Sequence, residues 1–151
     1  MAITNYHTVS GEIIGETTSS VRTGYLTDGL GSVTATQAST GSVSNTYRYK
    51  PYGALLAKTG VSPDPSFLWV GSWGYQHTTG GLSYMRARHY HRMSAVWTSQ
   101  DSLWPKEPAY VYCFGAPIDA TDASGRSCCC CPEKISATEV VSRQRPCDDA
   151  L

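Results

Sequence analysis

Residues 21–53, VRTGYLTDGLGSVTATQASTGSVSNTYRYKPYG, decide the fold class. Runs rich in Thr, Val and Tyr alternate here with short segments that contain glycine, which readily adopts turn conformations. Such spacing is typical of an antiparallel meander, in which each strand pairs with the next one along the chain. We therefore predict a mainly β fold of roughly eight to ten short strands.

The predicted strands extend well beyond this stretch. In residues 82–90 the side chains alternate, so a single strand would place Tyr84, Arg86, Arg88 and Tyr90 on one face. In residues 109–114 the two tyrosines would likewise share a face. The runs rich in β-branched and aromatic residues that we assign to strands are 21–27, 32–37, 42–49, 67–71, 82–90 and 109–114.

Length and charge limit the possible functions. The chain has 151 residues, with 12 Lys and Arg against 12 Asp and Glu, so one domain of zero formal net charge is expected. Because a general nucleic-acid binder needs a positive field, this balance argues against nucleic acid as a partner. We find neither a signal peptide nor an apolar run long enough to span a membrane, and we expect no cofactor.

Composition divides the chain into three regions. Residues 1–20 are small and polar, which predicts a flexible or partly ordered N-terminal arm with one short strand at most. Residues 21–125 hold almost all the aromatic residues and form the predicted β domain. Residues 126–151 contain no aromatic residue and five of the six cysteines, and we expect a loosely structured, variable tail.

Six short motifs follow one another between residues 25 and 125. They are YLTDGLGSV (25–33), YRYKPYG (47–53), TGGLSYMRARHY (79–90), SQD (99–101), AYVY (109–112) and DASG (122–125). In this order they resemble the C-terminal Rhs repeat-associated core domain of YD-repeat proteins, of which the chain would be a short or truncated member.

The resemblance implies a mechanical role. Proteins of this family wind β-hairpins into a hollow shell that encloses a toxic C-terminal segment for delivery, and the core domain closes one end of that shell. For this chain it implies a structural end segment, an upstream repeat-bearing chain as partner, and export or location in the cell envelope. Exposed strand edges would also permit self-association.

Many family members also contain an aspartic autoprotease in the core. The resemblance offers Asp101 and Asp122 as the two carboxylates, and a cut near Arg126, at the Arg126–Ser127 bond. The prolines that usually follow the two aspartates are absent, and the usual arginine position is Val96, so Arg86 or Arg88 would have to orient a carboxylate. Without catalysis, the aspartates would be turn residues that cap backbone N–H groups.

Two other functions remain open from the residues alone. Exposed tryptophans, in particular Trp69 and Trp73, could bind glycans or a surface partner, although tryptophans in a small β protein more often fill the core. The chain could also be a non-functional truncated gene product.

The cysteines suggest a third kind of site. Thiolates bind soft metals, so the consecutive cysteines could hold a metal together with one near the end of the chain. Zinc sites favour ligands two to four residues apart, however, and a run of neighbours departs from that spacing. The predicted ligand set is Cys128, Cys129, Cys130, Cys131 and Cys147.

Overall fold

The computed structural model describes residues 3–130, and the fold is mainly β, as predicted. The described residues form twelve strands in three antiparallel sheets. The first sheet contains β1 (Thr4–Val9), β2 (Glu12–Thr18), β3 (Val21–Thr27), β4 (Val33–Ala38), β5 (Val43–Tyr49) and β6 (Leu55–Thr59). The remaining strands are β7 (Gln76–His77), β8 (Leu82–Met85), β9 (Arg88–His91), β10 (Val96–Trp97), β11 (Ala120–Thr121) and β12 (Cys129–Cys130).

The six-stranded sheet is a simple meander in which every strand pairs with its neighbour in sequence. The last three connections share one type of five-residue turn. In Asp28–Ser32, for example, the N–H of Gly31 donates to the carbonyl oxygen of Asp28, and the N–H of Asp28 donates to the carbonyl oxygen of Ser32. The fourth residue has a positive φ in each turn and is a glycine (Gly31, Gly41 and Gly53). The glycine spacing of the sequence therefore sets where these strands end.

The N-terminal segment is more regular than predicted. Residues 4–18 form a hairpin of two strands, where the sequence indicated one short strand at most. Ser10 and Gly11 both have positive φ and make the two-residue turn that suits the twist of paired strands. Ser19 and Ser20 make a second such turn before β3. Pairing with β3 thus extends the sheet back to Thr4.

The single strand predicted over residues 82–90 was wrong. Residues 82–91 form a hairpin, because Arg86 adopts a left-handed conformation with φ 53° and the chain reverses at Arg86 and Ala87. The reversal places the two arginines of this segment in different environments. Arg86 lies at the exposed tip of the turn, whereas Arg88 lies on β9 and is buried.

Two further predicted strands were also wrong. Only Phe67 of residues 67–71 makes a strand-like bridge, to Gln76, before a 3-10 turn at Gly71–Trp73. Within residues 109–114, Val111 bridges to Val96 and the chain then enters a 3-10 turn at Tyr112–Gly115. Cys113 and Phe114 have positive φ, which ends any extended conformation there.

Two buried clusters hold the sheets together. One lies against the six-stranded sheet and contains Tyr25, Val33, Tyr47, Phe67 and Leu68. The other lies between the short strands and contains Trp69, Val70, Tyr75, Met85, Tyr90, Trp97, Tyr112, Cys113 and Ala120. Residues 67–70 contribute to both clusters and so join the meander to the smaller unit that follows it. Among residues 3–130 there is no helix long and apolar enough to cross a membrane.

Candidate functional site

A buried arginine joins the two aspartates that the resemblance singled out. Nη1 of Arg88 lies 2.6 Å from Oδ2 of Asp101, and Nη2 lies 3.2 Å from Oδ2 of Asp122. All three residues are buried, at 6%, 5% and 2% exposure. Sequence reasoning expected the two carboxylates to approach each other and Arg86 or Arg88 to orient one of them; the structure places Arg88 against both. We call Arg88, Asp101 and Asp122 the carboxylate cluster.

Two further contacts fix the guanidinium of Arg88. Its Nε donates a hydrogen bond to the carbonyl oxygen of Gly125, and its Cζ lies 3.9 Å from the centre of the Trp97 ring. An arginine suits this position because its planar fork can serve two carboxylates while its face stacks on an aromatic ring. Gly125 is required here because its φ is 71° and a Cβ would overlap the carbonyl oxygen of Met85.

Asp122 organises the turn that follows it. Its Oδ1 accepts hydrogen bonds from Oγ of Ser124 at 2.9 Å and from the N–H groups of Arg126 and Ser127 at 3.1 and 3.2 Å. Burial raises the pKa of the Asp122 carboxyl, while these hydrogen bonds and the charge of Arg88 act in the opposite direction. Asp122 thus faces the proposed cleavage bond with a carboxyl that holds its proton more strongly than usual.

Asp101 is held in a turn of its own. Its Oδ1 accepts from the N–H of Leu103 at 2.8 Å, and its N–H donates to the carbonyl of Ala109 at 2.8 Å. The remaining carboxylate oxygen is directed to Arg88. Both aspartates therefore accept hydrogen bonds from backbone N–H groups of their own turns, as expected for turn residues without a catalytic role. Both also contact the buried guanidinium of Arg88.

A pair of tyrosines that the sequence analysis did not single out supports Asp122. The hydroxyl oxygen of Tyr75 accepts a hydrogen bond from the N–H of Asp122 at 2.7 Å and lies 2.7 Å from the hydroxyl of Tyr112. Burial raises the pKa of Tyr75 well above its ordinary value, so its hydroxyl stays protonated. Nothing in the sequence separates Tyr75 from the other tyrosines, since its role depends on contacts 47 residues away.

The other predicted binding residues lie outside this cluster. Arg86 is exposed and donates to the carbonyl oxygen of Ala123 at 3.0 Å. Trp69 is only 2% exposed and packs against Tyr75 and Tyr90, so it fills the core, which is the alternative that the sequence left open for its tryptophans. Trp73 is 36% exposed and lies apart from the core.

The predicted metal ligands are also reassigned in part. Cys128 forms a disulfide with Cys113, so its sulfur is not a thiolate ligand in this structure. Within residues 3–130 no group of three His, Cys, Asp or Glu side chains could hold a metal ion. The side chains of Cys129 and Cys130, and the whole of Cys131 and Cys147, lie outside the described part of the chain.

Comparison with solved structures finds the same fold in Tc toxin proteins. The crystal structure of TcdB2-TccC3 matches with a TM-score of 0.69 and 17% identity, over 82% of this chain. The TcdB2-TccC3-Cdc42 structure matches with a TM-score of 0.70 and 16% identity over 83%. A Tc holotoxin pore from Photorhabdus luminescens, with a substituted TccC3, matches with a TM-score of 0.69 and 15% identity over 92%.

These likenesses concern the fold alone. The chain spans 6–7% of the length of the solved chains that it matches. No protein-family model and no curated protein sequence matches it. The comparison supports an Rhs-like β fold.

Proposed function

We propose that this chain is the structural end segment of an Rhs-type toxin-delivery shell. The observation that carries the proposal is the junction of a regular six-stranded meander with a compact aromatic unit, in a chain whose fold matches the Tc toxin structures over 82–92% of its length. The meander is the part of a shell that grows by adding hairpins. The compact unit, with Trp69 and Tyr112 at its centre, follows β6 in the chain, and we assign to it the end of that growth.

The first strand provides the contact with a partner. β1 forms one edge of the sheet and pairs only with β2 in the described part of the chain. Such an edge presents unpaired N–H and C=O groups, which another strand can satisfy. Ile3, just before β1, and Val9, its last residue, are 77% and 58% exposed and provide apolar contacts for that strand. We assign this edge to an upstream repeat-bearing chain or, in its absence, to a second copy.

Light scattering on the purified chain tests this role. We expect oligomers that dissociate when the outward-facing donor of the edge is removed. Because successive N–H groups of a strand point in opposite directions, Thr4→Pro and Asn5→Pro sample both directions. One should yield a monomer with an unchanged melting temperature, and the other should destabilise the hairpin. A wild-type chain that is monomeric at every concentration would contradict the assignment.

The second part of the proposal is self-cleavage at the Arg126–Ser127 bond. It is favoured by the position of Asp122, whose Oδ1 accepts a hydrogen bond from the N–H of Ser127 at 3.2 Å and so lies beside the nitrogen that would leave, and by the raised pKa of that carboxyl. Asp101 accepts a proton from a water molecule as the water oxygen bonds to the carbonyl carbon of Arg126. Once the tetrahedral intermediate has formed, the nitrogen of Ser127 has a lone pair, and Asp122 in its protonated form donates a proton to it. The C–N bond breaks, a carboxylic acid and an amine result, and Asp101 then releases the proton that it took up while Asp122 regains one.

Intact mass after expression, measured in denaturant with reductant, decides whether the bond is cut. A species ending at Arg126 that disappears in Asp101→Asn and in Asp122→Asn supports the assignment. Asp119→Asn serves as the matched control, since Asp119 is exposed and lies outside the carboxylate cluster. A full-length mass for the wild-type chain, after incubation at pH 5 and pH 7, would reject self-cleavage while leaving the shell role intact.

A further inference from the structure

The disulfide encloses the bond proposed for cleavage. Cys113 lies in the 3-10 turn Tyr112–Gly115, and Cys128 follows the Asp122 turn, with 5.2 Å between their Cα atoms. The closed loop therefore contains Asp122, Gly125 and the Arg126–Ser127 bond. Hydrolysis of one bond inside a covalent ring opens the ring but does not separate its parts.

The positions of the cysteines in the sequence leave Cys113 as the only residue before the cut that can form such a link. Cys113 is the only cysteine among residues 1–126, whereas residues 127–151 contain the other five. Every disulfide that could connect the two sides of the cut must therefore use Cys113. The neighbours of Cys128 in the cysteine run can replace it by thiol–disulfide exchange, and each such isomer still joins the same two segments.

We propose that the Cys113–Cys128 disulfide retains residues 127–151 on the β domain after cleavage, and that reduction by a dithiol releases them. This inference rests on the proposed self-cleavage. It makes release of the 25-residue segment depend on two separate chemical events, hydrolysis and reduction. The segment would remain attached under oxidising conditions and leave after transfer to a reducing compartment.

Burial decides which sulfur is attacked. Cys113 is 4% exposed and packs in the aromatic cluster, whereas Cys128 is half-buried at the edge of that cluster. A thiolate of the reductant bonds to Sγ of Cys128, and Cys113 leaves as a thiolate and takes up a proton. The second thiol of the reductant then displaces Cys128, so the protein disulfide gains two electrons and two protons and the reductant becomes a disulfide.

Among the described residues, few other contacts hold the segment after reduction. They are the two-residue pairing of β11 with β12, the packing of Cys128 on the aromatic cluster, the hydrogen bond from Oγ of Ser127 to Glu107 at 3.1 Å, and the N–H of Ser127 on Asp122 and on Oγ of Ser124. Hydrogen bonds contribute about 1 kcal/mol each in general. Within residues 127–130 the covalent link is therefore the strongest single restraint.

The experiment compares masses with and without dithiothreitol. Self-cleaved wild type, denatured without reductant, should be one species that is one water heavier than the full chain, and reductant should split it into 1–126 and 127–151. Cys113→Ala should give two fragments without reductant, whereas Cys147→Ala should behave as wild type. Native gel filtration should show that the 25-residue segment leaves after reduction.

A second variant separates this inference from self-cleavage. Inserting the recognition sequence of a site-specific protease between Arg126 and Ser127 allows the loop to be cut even if Asp101 and Asp122 are inactive. The tether predicts one covalent species before reduction and two after it. Separation of the fragments in denaturant without reductant, or co-elution in the native run after complete reduction, would overturn the inference.

Discussion

Replacing Arg88 with alanine should destabilise the fold far more than replacing any exposed arginine. The substitution leaves the carboxylates of Asp101 and Asp122 buried without their cation and removes the donor to the Gly125 carbonyl. Breaking a buried ion pair by removing one partner costs about 3–5 kcal/mol. Since a tenfold change in an equilibrium constant corresponds to about 1.4 kcal/mol, the unfolded fraction should rise by a factor on the order of 100 to 4,000.

Urea unfolding followed by tryptophan fluorescence at pH 7 measures this loss. Arg86→Ala is the matched control, because Arg86 belongs to the same hairpin and also donates to a backbone carbonyl, yet is exposed. Its loss should be about 1 kcal/mol or less. If Arg88→Ala does not fold, Arg88→Met combined with Asp101→Asn and Asp122→Asn should restore folding, because no buried charge is then left unpaired. Equal losses for the two arginines would refute the reasoning.

Two more predictions concern positions outside the carboxylate cluster. Burial and the charge of Arg92 lower the pKa of His77 to about 3. As the pH falls, the unfolded state therefore takes up the proton first, and stability should fall between about pH 6.5 and pH 3. The urea midpoint of His77→Gln should change less over that range than the midpoint of the wild type, and equal changes would contradict this. Gly53→Ala should lower stability by about 2 kcal/mol or more, since φ is 86° and a Cβ would overlap the Trp69 ring. Thermal melts measure this loss, and they should show little change for the control Gly29→Ala, because the space around Gly29 is open.

The meander could be predicted from sequence because its turns carry a local signal. The predicted strand 21–27 agrees with β3, and the strands predicted at 32–37 and 42–49 differ from β4 and β5 by one residue at one or both ends. A glycine with positive φ closes each of the later turns, so composition and backbone conformation agree there. β6 was not predicted because its sequence, Leu55–Thr59, does not alternate between apolar and polar residues. In the structure all five of these residues are exposed, so no buried face imposes such a pattern.

Residues 82–114 could not be predicted because their turns use residues that carry no turn signal. Arg86, Ala95 and Cys113 all have positive φ although each has a Cβ, so the sequence suggests extended chain where the backbone reverses. This error also affects the site. A single strand would give both arginines one face, whereas the hairpin buries Arg88 and exposes Arg86, and only tertiary contacts decide between them.

Tertiary contacts hold the turn after Asp122, where the pattern that the sequence resembles has a proline. A proline after each aspartate would fix the backbone of its turn, and Ser102 and Ala123 lack that constraint. At the second turn the constraint is supplied from outside: the Tyr75 hydroxyl holds the N–H of Asp122, and Arg88 holds the carbonyl of Gly125. The Cys113–Cys128 disulfide then ties down the chain just beyond the turn. Long-range contacts therefore do here what local backbone chemistry does in the family pattern, so the geometry of the carboxylate cluster should depend on an intact aromatic core.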